Sequence, residues 1–229
     1  NGNNTYTGAT TVNAGMLVVN GSLASSVTLD GGTFGGSGTI AGLVANSGIV
    51  GPGNSIGTLN INGNFTQNGG VYQVEVNAAG QSDRIVATGT ATINGGSVQV
   101  LAQTGNYATS TTYAILTAAG GRTGTYSGVT SNFAFLTPSL SYDANNVFLT
   151  LALQGNAFSG FGGNTVNQRA VGYALDQSYA NASGDFATVI GALANLNTQQ
   201  GPWALSQISG QPYADFGSFN VANNALFMN

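Results

Sequence analysis

Asn13-Ala14-Gly15, Asp30-Gly31-Gly32, Asn46-Ser47-Gly48, Asn68-Gly69-Gly70 and Asn94-Gly95-Gly96 write the same corner five times, at spacings of 17, 16, 22 and 26 residues. Each triplet opens on Asn or Asp, closes on Gly and is flanked by short β-branched runs. Asn, Asp and Gly enter positive φ at low cost, so they suit corners. A corner recurring at roughly 20 residues is the signature of a β-solenoid, in which each repeat stacks on its neighbours. Asn20-Gly21 and Asn62-Gly63 supply further turns.

Working outward from the corners, residues 1–100 read as short strands between turns. Met16–Val19, Ser26–Leu29, Thr58–Ile61, Val71–Val76, Ala91–Ile93 and Ser97–Leu101 are the clearest. Leu59 and Ile61 fall on one side of their strand. In Val71–Val76 the valines at 71, 74 and 76 fall on both parities, so no single face is marked. Residues 107–153 lose the triplet but stay β. There, Phe133–Tyr142 and Val147–Leu153 flank Asp143-Ala144-Asn145-Asn146, which reads as a hairpin turn. A solenoid needs its terminal apolar face covered. This hairpin, with Phe133, Phe135, Leu136 and Phe148, is the predicted cap, over about 107–153.

The pattern changes at Gly155. Residues 154–163 form a Gly-rich hinge carrying Phe158 and Phe161. Residues 164–229 read as an α-helical segment. Val166, Ala170, Val171, Ala174, Leu175 and Tyr179 keep the rhythm of one helix face. Ser183 is the expected N-cap of a second helix, Pro202 opens a third that closes at Gly210, and Pro212 opens a fourth through Tyr213 and Phe216.

Composition bounds the function. Only 4% of the 229 residues are charged, against about a quarter in an ordinary domain. The 36 glycines do not imply disorder, because apolar residues alternate regularly and net charge is only −4. Three lone arginines, Arg84, Arg122 and Arg169, exclude a basic nucleic-acid footprint. The absence of Cys argues against a disulfide framework and suits a chain that crosses a membrane unfolded. The sequence opens inside a repeat, without a signal peptide, and is read as a fragment.

Gly53-Asn54-Ser55-Ile56-Gly57 matches the nucleophile-elbow spelling. That motif needs a strand-to-helix turn and a His to activate the Ser. The chain has no His and a strand is expected at Thr58, so the stretch reads as a turn between repeats. The seven acids are scattered. Stacking could bring Glu75 close to Asp83 or Arg84, where an ion pair or turn cap is the expected result. Without His, Cys or an alternating Asp run, no metal site, no cofactor site and no catalytic residue is assigned. Gly35-Gly36-Ser37-Gly38 lacks the Asp of the calcium-binding nonapeptide repeat.

Three stretches resemble monomeric (type Va) autotransporters of Gram-negative bacteria. Gly8–Gly21 is similar to the passenger-associated β-strand repeat. Gly51–Leu59, followed by Ser82–Ile85, Thr88–Ala91 and Tyr113–Thr117, is similar to the conserved end of the passenger, the autochaperone region. Asn167–Val171 with Ala174–Asp176, then Leu205–Gln211, is similar to the helical segment that leads into the barrel. The resemblance implies a right-handed, single-stranded parallel β-helix over residues 1–153 with a C-terminal hairpin cap. It further implies a small helical module joined in cis to an outer-membrane β-barrel, whose strands the sequence lacks. A stalk that folds first and presents an upstream effector is then the expected function, and the protein is not expected to be an enzyme. A surface adhesin that binds a host or matrix ligand through the solenoid face is the alternative. Expected partners are the translocator barrel, the outer-membrane assembly machinery and a second copy through the 164–229 helices. The expected location is the bacterial surface or outer membrane, or the medium after release. Asn223-Asn224 sits where some members are cut, but so short a match in an Asn-rich chain is not assigned as a cleavage site.

Overall fold

A computed structural model describes residues 2–210, which divide into two units, 2–132 with 138–152 and 133–137 with 153–210. The fourth helix expected from Pro212, the Asn223-Asn224 pair and Asp215 lie outside the described residues.

The first unit is built of parallel strands that join equivalent positions of successive repeats. One sheet runs through Met16–Val18, Thr33–Gly36, Ile49–Pro52, Val71–Val76, Ser97–Ala102 and Val129–Thr130, each parallel to the next. A second sheet runs in parallel through Thr10–Val12, Ser22–Leu29, Thr39–Ala45, Phe65–Gln67, Ala91–Ile93 and Arg122–Gly124. It branches from Thr39–Ala45 through Thr58–Ile61 and Arg84–Ala87 to Ser110–Ala118.

Because register is kept, inward side chains form columns. Phe34, Val50, Tyr72 and Val98 stack in the first sheet, and Val27, Leu43, Phe65 and Ala91 in the second. All are fully buried or nearly so. Each large member contributes about 1.5–3 kcal/mol by leaving water. The unmarked strand is resolved here: Tyr72, Val74 and Val76 point inward and Val71 does not. Tyr72 donates its hydroxyl to the Ile115 carbonyl at 2.5 Å, and burial pushes the phenol well above its ordinary pKa.

The five triplets are the corners between these strands. Gly15, Gly32, Gly48, Gly70 and Gly96 have φ between 71° and 83°. A Cβ at Gly32 would strike the Gly15 carbonyl oxygen, and one at Gly70 the Gly48 carbonyl oxygen. Those same carbonyls accept the Thr33 and Val71 amides at 2.8 Å each. Side chains continue the stack. Asn46 Nδ2 donates to Asp30 Oδ1 at 2.7 Å, Asn68 to Asn46 at 2.7 Å, and Asn94 to Asn68 at 2.8 Å.

The parallel series ends at an antiparallel hairpin. Asn146–Ala152 pairs with Ser110–Ala118 and buries Val147, Leu149 and Leu151. Asp143 caps its turn by accepting the Asn145 and Asn146 amides at 2.8 and 2.6 Å. The Asn146 side-chain amide, donating to both carboxylate oxygens at 3.0 and 2.9 Å, and after it these backbone bonds hold the carboxyl below the usual range. The first arm is shorter than expected: the strand is Thr137–Tyr142. Phe133 and Phe135 are not part of the hairpin. They belong to the second unit, where Phe135 packs 4.8 Å from Phe158 and 5.8 Å from Phe161.

In the second unit, α1 (Val166–Ser178), a short 3-10 turn, α2 (Gly184–Ala194) and α3 (Gln200–Ile208) follow one another. Among the described residues no helix is long and apolar enough to cross a membrane. Thr165 and Gln168 form a capping box at the start of α1. Asn197 accepts the Gln199 and Gln200 amides at α3. The expected inner face of α1 holds at Leu175 but not at Val166: the buried residues are Gln168, Gly172 and Leu175, while Val166 is 73% exposed. Gly172 is selected because the Phe158–Ser159 backbone sits where its Cβ would be. Asp176 fixes that backbone by accepting the Phe158 and Ser159 amides at 3.0 Å each. Residues 155–163, predicted as a hinge, are thus turns pinned to α1.

Candidate functional site

The Gly53–Gly57 loop leaves the end of the Ile49–Pro52 strand beside Glu75 and Asp83. Gly53, at φ 82°, reverses the chain, and its amide and carbonyl pair with Gly36 at 3.0 and 3.2 Å. A Cβ there would collide with the Ser55 carbonyl oxygen. Asn77 tightens a second loop by accepting the Ala79 and Gln81 amides, which returns the chain to Asp83.

Asp83 ties the two loops together. Its Oδ1 accepts the Gly57 amide at 2.9 Å and its Oδ2 accepts the Glu75 amide at 2.8 Å. The side chain is only 2% exposed. Burial pushes its carboxyl up to about 7; the two amides oppose that shift and the nearby Glu75 charge adds to it. Gln103 Nε2 donates to Ser55 Oγ and to Glu75 Oε2, both at 3.2 Å. A groove of about 310 Å³ lies alongside, walled by Met16 and Val18 on one side and Asn54, Ser55 and Glu75 on the other, with Gly35 and Gly51 among its lining residues.

Of the residues weighed in the sequence, Ser55, Glu75 and Asp83 therefore come together. Arg84 does not join them: its Nη2 donates to Thr117 Oγ1 at 2.7 Å. The Ser55 hydroxyl accepts from an amide N–H, which has no lone pair to take a proton. Ser55 is held as a turn residue. Asp83 could store a proton near neutrality, but its two oxygens face backbone amides. Gln103 carries no local motif and lies 48 residues from Ser55, so the sequence does not mark it. Among the described residues no group of three or more His, Cys, Asp or Glu could hold a metal ion.

No family model matches the chain. A curated relative, the extracellular serine protease of Serratia marcescens, is 36% identical over 187 residues, which are 76% of this chain and 18% of the relative. The chain thus spans less than a fifth of the length of the relative it matches. This corrects the expectation that the protein is not an enzyme, because a relative along most of the chain is a protease by name. The absence of His bears on how Ser55 could be activated. It does not bear on the class of polypeptide to which these repeats belong.

Proposed function

We propose that this chain is part of the passenger of a secreted, autotransporter-type serine protease. In this reading its repeats are a right-handed parallel β-helix that nucleates folding and presents the protease outside the cell. The 36% identity to an extracellular serine protease carries the proposal. The stacked corners support the role. A repeat added to a folded edge finds backbone carbonyls, an apolar column and an Asn side chain already in place, which lowers the cost of ordering it. The proposed domains are the β-helix with its cap over 1–153, the pinned turns over 154–163 and a helical linker from 164. The proposed partners are a translocator barrel in cis and the machinery that inserts it, with Val166, Tyr173 and Trp203 as apolar contact points. A bacterial surface or extracellular location follows from the same reading.

The test uses the full-length protein in a Gram-negative host. Culture medium or cell surface should carry proteolytic activity that a serine-directed fluorophosphonate abolishes. Deleting residues 1–153 should remove the extracellular protease while leaving membrane insertion intact. Full-length protein with no fluorophosphonate-sensitive proteolysis would refute the protease class. Wild-type extracellular activity after the deletion would refute the folding role.

A further inference from the structure

The chain carries four Asn-Gly pairs within the described residues, Asn20-Gly21, Asn62-Gly63, Asn68-Gly69 and Asn94-Gly95, and all four asparagines are exposed. Gly at the following position leaves the backbone nitrogen unshielded, so each pair has the chemistry for succinimide formation. What separates them is the freedom of the carboxamide. Asn68 and Asn94 are rungs of the corner ladder. Asn20 is held by Asn54 in both directions, at 3.3 and 2.9 Å, and by the Ser37 amide at 3.2 Å. The Asn62 carboxamide makes no hydrogen bond among the described residues, and neither does the Gly63 amide.

We propose that Asn62 is a site of spontaneous deamidation in the folded protein and that side-chain stacking protects the other three pairs. The Gly63 nitrogen attacks Asn62 Cγ and loses its proton to solvent. The new N–Cγ bond closes a five-membered imide, the Cγ–Nδ2 bond breaks and ammonia leaves. Water then opens the imide at either carbonyl, leaving an aspartyl or isoaspartyl residue. Water is the only co-reactant.

The site is also one where the product would be felt. The Asn62 amide donates to Ile40 O at 2.8 Å, and Gly63 O accepts from Gly89 at 2.8 Å. A Cβ at Gly63 would strike the Ala41 carbonyl oxygen, so the neighbouring repeats leave little room. The isoaspartyl product adds a methylene to the main chain between these two bonds. It also adds a negative charge to a chain with seven acids and three arginines.

Peptide mapping by mass spectrometry, with an isoaspartyl methyltransferase readout, tests this on protein aged in mildly alkaline buffer, folded and in urea. In urea all four pairs should convert at similar rates. In the folded protein Asn62 should keep most of its urea rate, and Asn20, Asn68 and Asn94 should fall about tenfold or more, since each must first release a hydrogen bond of ordinary net strength. Asn68→Ala, which removes the acceptor of the Asn94 carboxamide, should restore conversion at Asn94 and leave Asn20 protected. Folded Asn62 as slow as the ladder residues would overturn the proposal. So would Asn94 unmoved by Asn68→Ala in a variant whose folding is confirmed by circular dichroism.

Discussion

The stacked β repeats and the helical unit spend their apolar residues differently. In the repeats, the large inward side chains are closed columns and the corners pair carbonyl to amide and Asn to Asn. In the helices, Val166, Tyr173 and Trp203 are 73%, 62% and 67% exposed, although polar Gln168 is buried and donates to the Pro202 carbonyl and Ser206 Oγ at 2.8 Å each. A repeating unit completes itself through its neighbour. Three short helices of 13, 11 and 9 residues cannot enclose all the apolar surface they carry. The contrast teaches that stacking closes the inward columns of the repeats, which still leave Met16 and Val18 exposed near their first corner, whereas short helices leave several large apolar side chains open.

The largest effect should come from placing a charge in each region. Leu149→Asp buries an unpaired carboxylate and should cost several kcal/mol, enough to unfold the hairpin end. Val166→Asp should change stability by no more than about 0.5 kcal/mol. Urea titration compares the two, and equal midpoints would break the contrast.

A smaller effect concerns pH. Asp83 has its folded pKa raised from 3.8 to about 7, so its contribution is fully present below pH 3.8 and is lost as pH rises through about 7. The unfolded chain binds fewer protons in that window, so this group makes stability fall with rising pH. Asp143, lowered in the fold, acts oppositely below its ordinary pKa. Urea midpoints across the window should drop in the parent protein by an amount worth a few kcal/mol at most. Asp83→Asn should flatten the drop. Parallel pH profiles would show that Asp83 does not couple the two loops to protonation.

The smallest effect belongs to the corner ladder. Asn68→Ala removes one donated and one accepted bond and should cost about 1–2 kcal/mol. Asn62→Ala, outside the ladder, should cost no more than about 0.5 kcal/mol. If the two cost the same, the ladder is ornament on a backbone stack.

The candidate site was legible only in its pieces. Ser55 stood out by spelling, and Glu75 and Asp83 as neighbours in a carboxylate-poor chain. Gln103, which bonds to both Ser55 and Glu75, lies 48 and 28 residues away from them and has no motif. The expectation of no enzyme rests on the absence of His and Cys in this chain, and a relative that is a serine protease by name overturns it. Proximity in sequence places Phe133 and Phe135 with the hairpin, whereas Phe135 packs against Phe158 and Phe161.

The sequence alone determined the corners, the strands between them and the change to helices after Gly155. These depend on local preferences: positive φ at Gly, alternation in strands and periodicity in helices. Tertiary structure decided which parity of Val71–Val76 faces inward, which corner carbonyl each glycine must clear, and that Asp83 is buried against the Gly57 and Glu75 amides. It also decided that α1 turns Gln168 and Gly172 inward and Val166 outward. Those outcomes depend on residues elsewhere in the chain, such as the Gly57 amide that Asp83 accepts and the Pro202 carbonyl that Gln168 reaches, and only packing selects such neighbours.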